Sequence, residues 1–152
     1  MKKSDICWQN VCENNSLPTP ETFCKWINAA LQTATVSENF TTIGLRFVEA
    51  EESRTLNKKF RNKDKPTNVL SFPNQPIPGD TDNSMGDLVF CCDIIDAEAK
   101  DRHTPEDEYW AHMCIHGVMH LLGYTHDNGN NARTMEQLES KCLLKLGYSA
   151  PY

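Results

Sequence analysis

Phe23, Trp26, Ile27, Ala30 and Leu31 recur at i, i+3, i+4, i+7 and i+8, the spacing that gathers five apolar side chains onto one face of a helix. Thr19-Pro20-Glu21 stands just before them and reads as an N-cap, a proline at the first helical position and an acid in the first turn. The pattern then changes period. Ile43, Leu45 and Phe47 alternate with Gly44 and Arg46, as a half-buried strand requires. A short helix from Glu51 to about Phe60 presents Leu56 and Phe60, and it runs into the turn Asn62-Lys63-Asp64-Lys65-Pro66. Val69-Leu70-Ser71-Phe72 is a short strand stopped by Pro73. Asn74 to Ser84, rich in Pro, Gly and Asp, is a polar loop and the segment best suited to move.

Gly86 to Phe90 makes another strand, with Asp87 at its entry read as a turn residue, and a helix follows from about Ile94 to Lys100. Thr104-Pro105-Glu106-Asp107 repeats the cap-proline-acid signature and opens a long helix with Trp110, Met113, Cys114 and Leu121 available for a core. Trp26 and Trp110 are most simply core residues. Asp127 to Asn131 reads as a loop. A last helix buries Met135, Leu138, Cys142 and Leu146 and ends at Gly147. The first dozen residues form at best a poorly alternating strand. The fold class that follows is α+β: one domain over residues 1–152, a small mixed β-sheet packed with about five helices, and the helix opening near Thr104 at the centre.

Composition leaves this picture in place. The chain has 152 residues, 39% of them hydrophobic and 24% charged, which excludes disordered, collagen-like and coiled-coil chains. No apolar run approaches the ~20 residues of a membrane span. The lysines at the N-terminus lack the apolar stretch of a signal peptide. Seven cysteines, an odd number without framework spacing, mostly stand where apolar residues belong (Cys7, Cys12, Cys24, Cys114, Cys142) or end a strand (Cys91, Cys92). Buried free thiols in a reducing cytosol are the expected state.

Charge adds more through its distribution than through its total of −6. From Arg54 to Lys65, six cations face Asp64 alone, a local balance of +5 that leaves −11 on the remainder. A basic segment on an acidic body suits a focused anionic substrate, although a solvated lysine-rich helix and turn has the same composition.

The chemistry is concentrated in HGVMHLLGYTH. His116 and His120 are four residues apart, one helical turn on one face, and His126 follows six residues later beyond Gly123, where a left-handed turn can swing the chain back. Three imidazoles with no fourth protein ligand describe an open, catalytic metal site rather than a closed structural one. His112 extends the stripe but stands about 12 Å from His120 along the helix axis, too far to share an ion, and is read as a surface or hydrogen-bonding histidine. A divalent ion so held makes hydroxide available near neutral pH and polarises carbonyl or phosphoryl oxygens, so hydrolysis is the reaction class.

The spacing matches the metzincin metallopeptidases, H-E-x-x-H-x-x-G-x-x-H, except that Gly117 stands where their glutamate general base would be. Peptide cleavage lacks its proton carrier there, whereas phosphodiester cleavage can lean on cations, with Arg61 foremost because a guanidinium matches phosphate bidentately. Arg61 equally fits a cation at a helix C-terminus, worth ~0.3–1 kcal/mol. Asp127 either orients an imidazole or shapes its loop. Ser71 either meets substrate or occupies the exposed face of its strand.

Asn57 to Arg61, the block DKPTNVLSFP from Asp64 to Pro73 with Lys63 before it, Gly86-Asp87-Leu88, Trp110-Ala111-His112, His116 to Asp127, Gly147-Tyr148 and Pro151-Tyr152 together resemble the bacterial YbeY family of metal-dependent endoribonucleases. The resemblance runs from about residue 57 to the last residue. It implies one divalent ion, Zn²⁺, on His116, His120 and His126, and a functionally required Arg61, with Lys63, Lys65 and Ser71 as candidate substrate contacts. It further implies cleavage of single-stranded RNA, maturation of the 16S rRNA 3′ end, a role in ribosome quality control, and cytoplasmic work beside the ribosome or small-subunit proteins with no membrane partner. The alternatives are a metzincin-like metallopeptidase and a non-catalytic ribosome-assembly factor whose metal braces the fold.

Overall fold

A computed structural model describes residues 1–12, 16–75, 77–79 and 83–152. A 3-10 turn at Lys3–Asp5 leads into β1 (Ile6–Asn10), followed by α1 (Pro20–Thr33), β2 (Thr42–Val48), α2 (Ala50–Arg61), β3 (Val69–Pro73), β4 (Ser84–Cys91), α3 (Cys92–Asp101), α4 (Glu106–Leu121) and α5 (Gly129–Lys145). The four strands form one mixed sheet in the order β1-β2-β4-β3, with β1, β2 and β4 parallel and β3 antiparallel to β4. The α+β class, the small mixed sheet and the five helices are as expected.

Helix α1 follows its sequence signals, with Thr19 Oγ1 accepting from Thr22 N at 3.2 Å and Pro20 at the first position. Its apolar face meets the sheet in an aromatic cluster. Phe23 lies 5.4 Å from Phe47, 5.7 Å from Phe90 and 6.0 Å from Trp110, ring centre to ring centre. Helix α4 runs through the middle of this core, with every residue from Tyr109 to Ile115 and from Gly117 to Met119 buried. Burial on nearly all sides goes with apolar residues all round the helix, interrupted chiefly by its histidines, and with its central place. The opposite face of the sheet carries a smaller cluster of Val48, Leu70 and Val89 under Leu56 of α2 and Phe72. Among the described residues, no helix is long and apolar enough to cross a membrane.

Several expectations need correction. Helix α4 begins at Glu106 with Pro105 in the cap position, so Thr104 does not cap it; the acids of its first turn answer the helix dipole instead. Helix α5 begins at Gly129, inside the stretch read as a loop, because the Asn128 side chain accepts from Asn131 N at 2.9 Å and caps a first turn built of turn-forming residues. Phe60 is exposed and meets Phe72 edge-on. Asp87 sits within β4 opposite Gly44 of β2, not in a turn. Cys7 is exposed, since the short alternation of β1 turns Ile6 and Trp8 inward and Cys7 outward. Cys91, Cys92, Cys114 and Cys142 are buried, and all seven thiols are free. The loop expected to move falls partly on Pro76 and residues 80–82, outside the described residues.

Candidate metal centre

His116 and His120 project from the last turns of α4 as the two half-exposed positions on an otherwise buried stretch. The helix stops because Gly123 takes a left-handed φ of 98°. Gly123 N donates to His120 O and Tyr124 N to Met119 O, both at 3.0 Å, which satisfies the last carbonyls in a Schellman motif. The chain thereby reverses and brings His126 back over the helix. The three Nε2 atoms stand 3.1 Å (His120–His116), 3.1 Å (His120–His126) and 3.4 Å (His126–His116) apart.

The donor set fits a metal ion. His116 Nδ1 donates to Glu139 Oε1 at 2.6 Å, and His120 Nδ1 donates to the Tyr124 carbonyl at 3.0 Å. A neutral imidazole has one N–H, so both rings turn bare lone pairs inward at Nε2. Lone pairs facing one another at this range repel unless a cation lies between them. A tetrahedral ion with Zn–N bonds of about 2.0–2.1 Å separates its ligand nitrogens by about 3.3–3.4 Å, close to the spacing found. Burial first, then the neighbouring His116 and His126, push the His120 imidazole down to about 4, which keeps it neutral and able to ligate.

Glu139 is the residue that sequence reasoning missed. It is 1% exposed, accepts from His116 and, at Oε2, from the Tyr152 hydroxyl at 3.1 Å, and has His112 Nε2 3.5 Å away. Burial pushes this carboxyl up, but the hydrogen bonds from His112 and His116 outweigh it and hold the group at about 2. The carboxylate thus fixes the tautomer and orientation of His116, the usual service of a carboxylate behind a metal-binding imidazole. The signal was present: Glu139 lies four residues after Met135 and three before Cys142, a charge on the buried face of α5. His112 is buried beside it, not at the surface, with Nε2 3.3 Å from the Tyr152 hydroxyl. Asp127 is exposed and is held below the usual carboxylate range chiefly by Thr125, so its first role is to shape the turn.

The imidazoles open onto a cavity of about 460 Å³ shared with Arg61, Lys63, Lys65 and Ser71. The structure divides the basic segment. Arg54 pairs with Asp64 at 2.7 Å, with Lys58 nearby at 4.0 Å, while Arg61, Lys63 and Lys65 have no carboxylate partner among the described residues and line the cavity. Two buried polar residues of α2 hold that loop in place. Ser53 Oγ donates to Thr67 O and accepts from Thr67 N, both at 2.9 Å, and Asn57 Nδ2 donates to Lys65 O at 2.8 Å. From the other side, Asn68 Nδ2 donates to Glu98 at 3.0 Å. Ser71 is buried, not on an exposed strand face, and its hydroxyl donates to the Gly117 carbonyl at 3.2 Å, tying β3 to α4.

Gly117 faces the sheet. A Cβ there would stand 2.9 Å from Leu88 Cδ2 and 3.4 Å from Val69 Cγ2. As a glycine, this position offers no proton carrier of the kind a metzincin mechanism needs.

Comparison with known proteins agrees with this geometry. Residues 9–147 match the family model described as Endoribonuclease YbeY. Proteins named Endoribonuclease YbeY from two strains of Coxiella burnetii, Dugway 5J108-111 and RSA 493 / Nine Mile phase I, are each 40% identical over 144 residues, covering 95% of this chain and 95% of theirs. The solution structure of TM1509 from Thermotoga maritima superposes with a TM-score of 0.60 at 21% identity, over 93% of this chain and 88% of that one, and shares the fold.

Proposed function

The chain belongs to the YbeY endoribonuclease family, and from that premise we propose that it is a zinc-dependent, single-strand-specific endoribonuclease acting in 16S rRNA 3′-end maturation and ribosome quality control. The observation that carries this reading is the convergence of three imidazole nitrogens within 3.4 Å of one another on a cavity lined by three cations that have no carboxylate partner among the described residues. His116, His120 and His126 hold the ion, which when bound supplies Lewis acidity toward a phosphoryl oxygen and lowers the pKa of water. Glu139 keeps His116 in the ligating tautomer. Arg61, at the end of α2, clasps the phosphate and stabilises the charge that builds on it during cleavage. Lys63 and Lys65 draw in the adjoining backbone, and Ser71 holds the strand that floors the cavity. The substrate is the 16S rRNA precursor, met in the cytoplasm on or beside the ribosome and its small-subunit proteins.

The metallopeptidase alternative loses its base at Gly117, and the non-catalytic alternative gives no reason for gathering three cations into the cavity of the imidazoles. Replacing His120 with alanine is expected to abolish metal binding and cleavage of single-stranded RNA together. Elemental analysis and a cleavage assay on one sample test this. Metal-free protein that cuts RNA at the full rate would overturn it.

A further inference from the structure

Strand β3 borders two cavities. Val69, Leu70 and Ser71 line the cationic one beside the imidazoles. Pro73 and Asn74, two residues further on, line a second of about 450 Å³, closed by residues 34–40 after α1, the start of β4 and the turn that follows α4. At strand rise, Ser71 and Pro73 lie roughly 7 Å apart, so an extended polymer following β3 passes from one cavity into the other. Tyr124 joins them: its carbonyl holds His120 Nδ1 while the residue lines the second cavity.

The two linings differ in kind. The first carries Arg61, Lys63 and Lys65. Among the described residues of the second, the only charged one is Glu38, accompanied by the aromatics Phe40 and Tyr124 and the amides Asn74 and Asn83. Asn83 spends its amide nitrogen on Asn39 O, whereas the side-chain amide of Asn74 has no partner among the described residues. A space with a carboxylate and no cation repels phosphate. Flat rings and a free amide, which offers a donor and an acceptor together, suit a nucleobase.

We infer that this second cavity is a nucleobase subsite: it takes the base of a nucleotide adjoining the scissile phosphodiester, stacked on Tyr124 and hydrogen-bonded by Asn74. The inference rests on the endoribonuclease reading and deepens it. A base seated between the α1 end and the hairpin cannot be paired or stacked in a helix, so the subsite makes the demand for single-stranded RNA a property of the binding surface.

The test uses metal-loaded protein and short single-stranded oligoribonucleotides carrying 2-aminopurine, or an abasic ribose, at each position around the cut. On rapid mixing before turnover, 2-aminopurine is expected to be quenched at one position. Deleting the base there is expected to raise KM about tenfold, within the range of base–aromatic stacking. Tyr124→Ala and Asn74→Ala, at unchanged metal content, are expected to remove both effects, and Asn74→Ala decides alone if the tyrosine variant fails to fold. RNA cleaved with no position sensitive to its base, or both variants keeping the discrimination, overturns the subsite and leaves the nuclease standing. A localised quench without any cleavage keeps the subsite and overturns the nuclease. Neither signal overturns both.

Discussion

Glu139→Gln isolates the charge behind His116. The replacement has the same shape, and Oε1 of the amide still accepts from His116 Nδ1 across the 2.6 Å contact, while its NH₂ can face the Tyr152 hydroxyl. What is lost is the negative charge that makes the imidazole a better donor to the ion. Removing such a partner costs roughly 10- to 100-fold in metal affinity, or about 1.4–2.7 kcal/mol. The metal-free fold also suffers, because hydrogen bonds to a charged group, worth ~1.5–3 kcal/mol, become neutral ones worth ~0.5–1.5 kcal/mol. A fall in Tm of roughly 3–6 °C follows for a chain of this size. Competition with a coloured chelator measures the affinity, and a thermal melt of the metal-free protein measures the rest. Affinity within twofold of wild type in a correctly folded variant would refute the argument that Glu139 governs the metal through His116.

Arg61→Ala is expected to lower RNA cleavage by about 10²–10³ in kcat with full metal content, as read by single-turnover assay and elemental analysis; unchanged turnover would remove Arg61 from the reaction. In Gly117→Ala, the ~1 kcal/mol gain in helix propensity is opposed by a Cβ 2.9 Å from Leu88, a residue with no exposed surface and nowhere to retreat. Overpacking of about 1–3 kcal/mol is expected to win, lowering the denaturation midpoint, and an unchanged or higher midpoint would contradict the packing argument. Of the seven thiols, Cys7 is expected to react first with Ellman's reagent. Burial raises the pKa of Cys91, Cys92, Cys114 and Cys142 and shields their sulfurs, so these four are expected to stay silent until the protein unfolds. Rapid native-state labelling of Cys114, located by peptide mass, would count against this.

The elements were legible wherever one physical signal dominated. Period and capping located α1, alternation located β2, and the pair of histidines one turn apart with a glycine before the third pointed to the cluster of three imidazoles. Reading failed where a residue acts through a neighbour distant in sequence. Glu139 hides among the apolar residues that mark the buried face of α5, where a charge has no local signal for its partner. Ser53 stands in a charged helix with nothing local to mark it, yet it is buried and bonded twice to Thr67, fourteen residues on. The basic segment reads as one patch because sequence does not reveal that Arg54 and Lys58 approach Asp64 while Arg61, Lys63 and Lys65 line the cavity of the imidazoles. The sheet order, with β4 between β2 and β3, depends on crossovers that no local pattern encodes.

The missing side chain at residue 117 also fixes a length. Two of the three imidazoles ride on α4, and Lys63 and Lys65 ride on the loop that leads from α2 into β3; the two supports touch where Ser71 reaches the Gly117 carbonyl. A group grown from that α-carbon would press on Leu88 and act as a shim between helix and sheet, shifting the imidazoles of α4 against the cations across the cavity. Two distant stretches of chain, neither reactive by itself, are therefore calibrated against each other by an empty place.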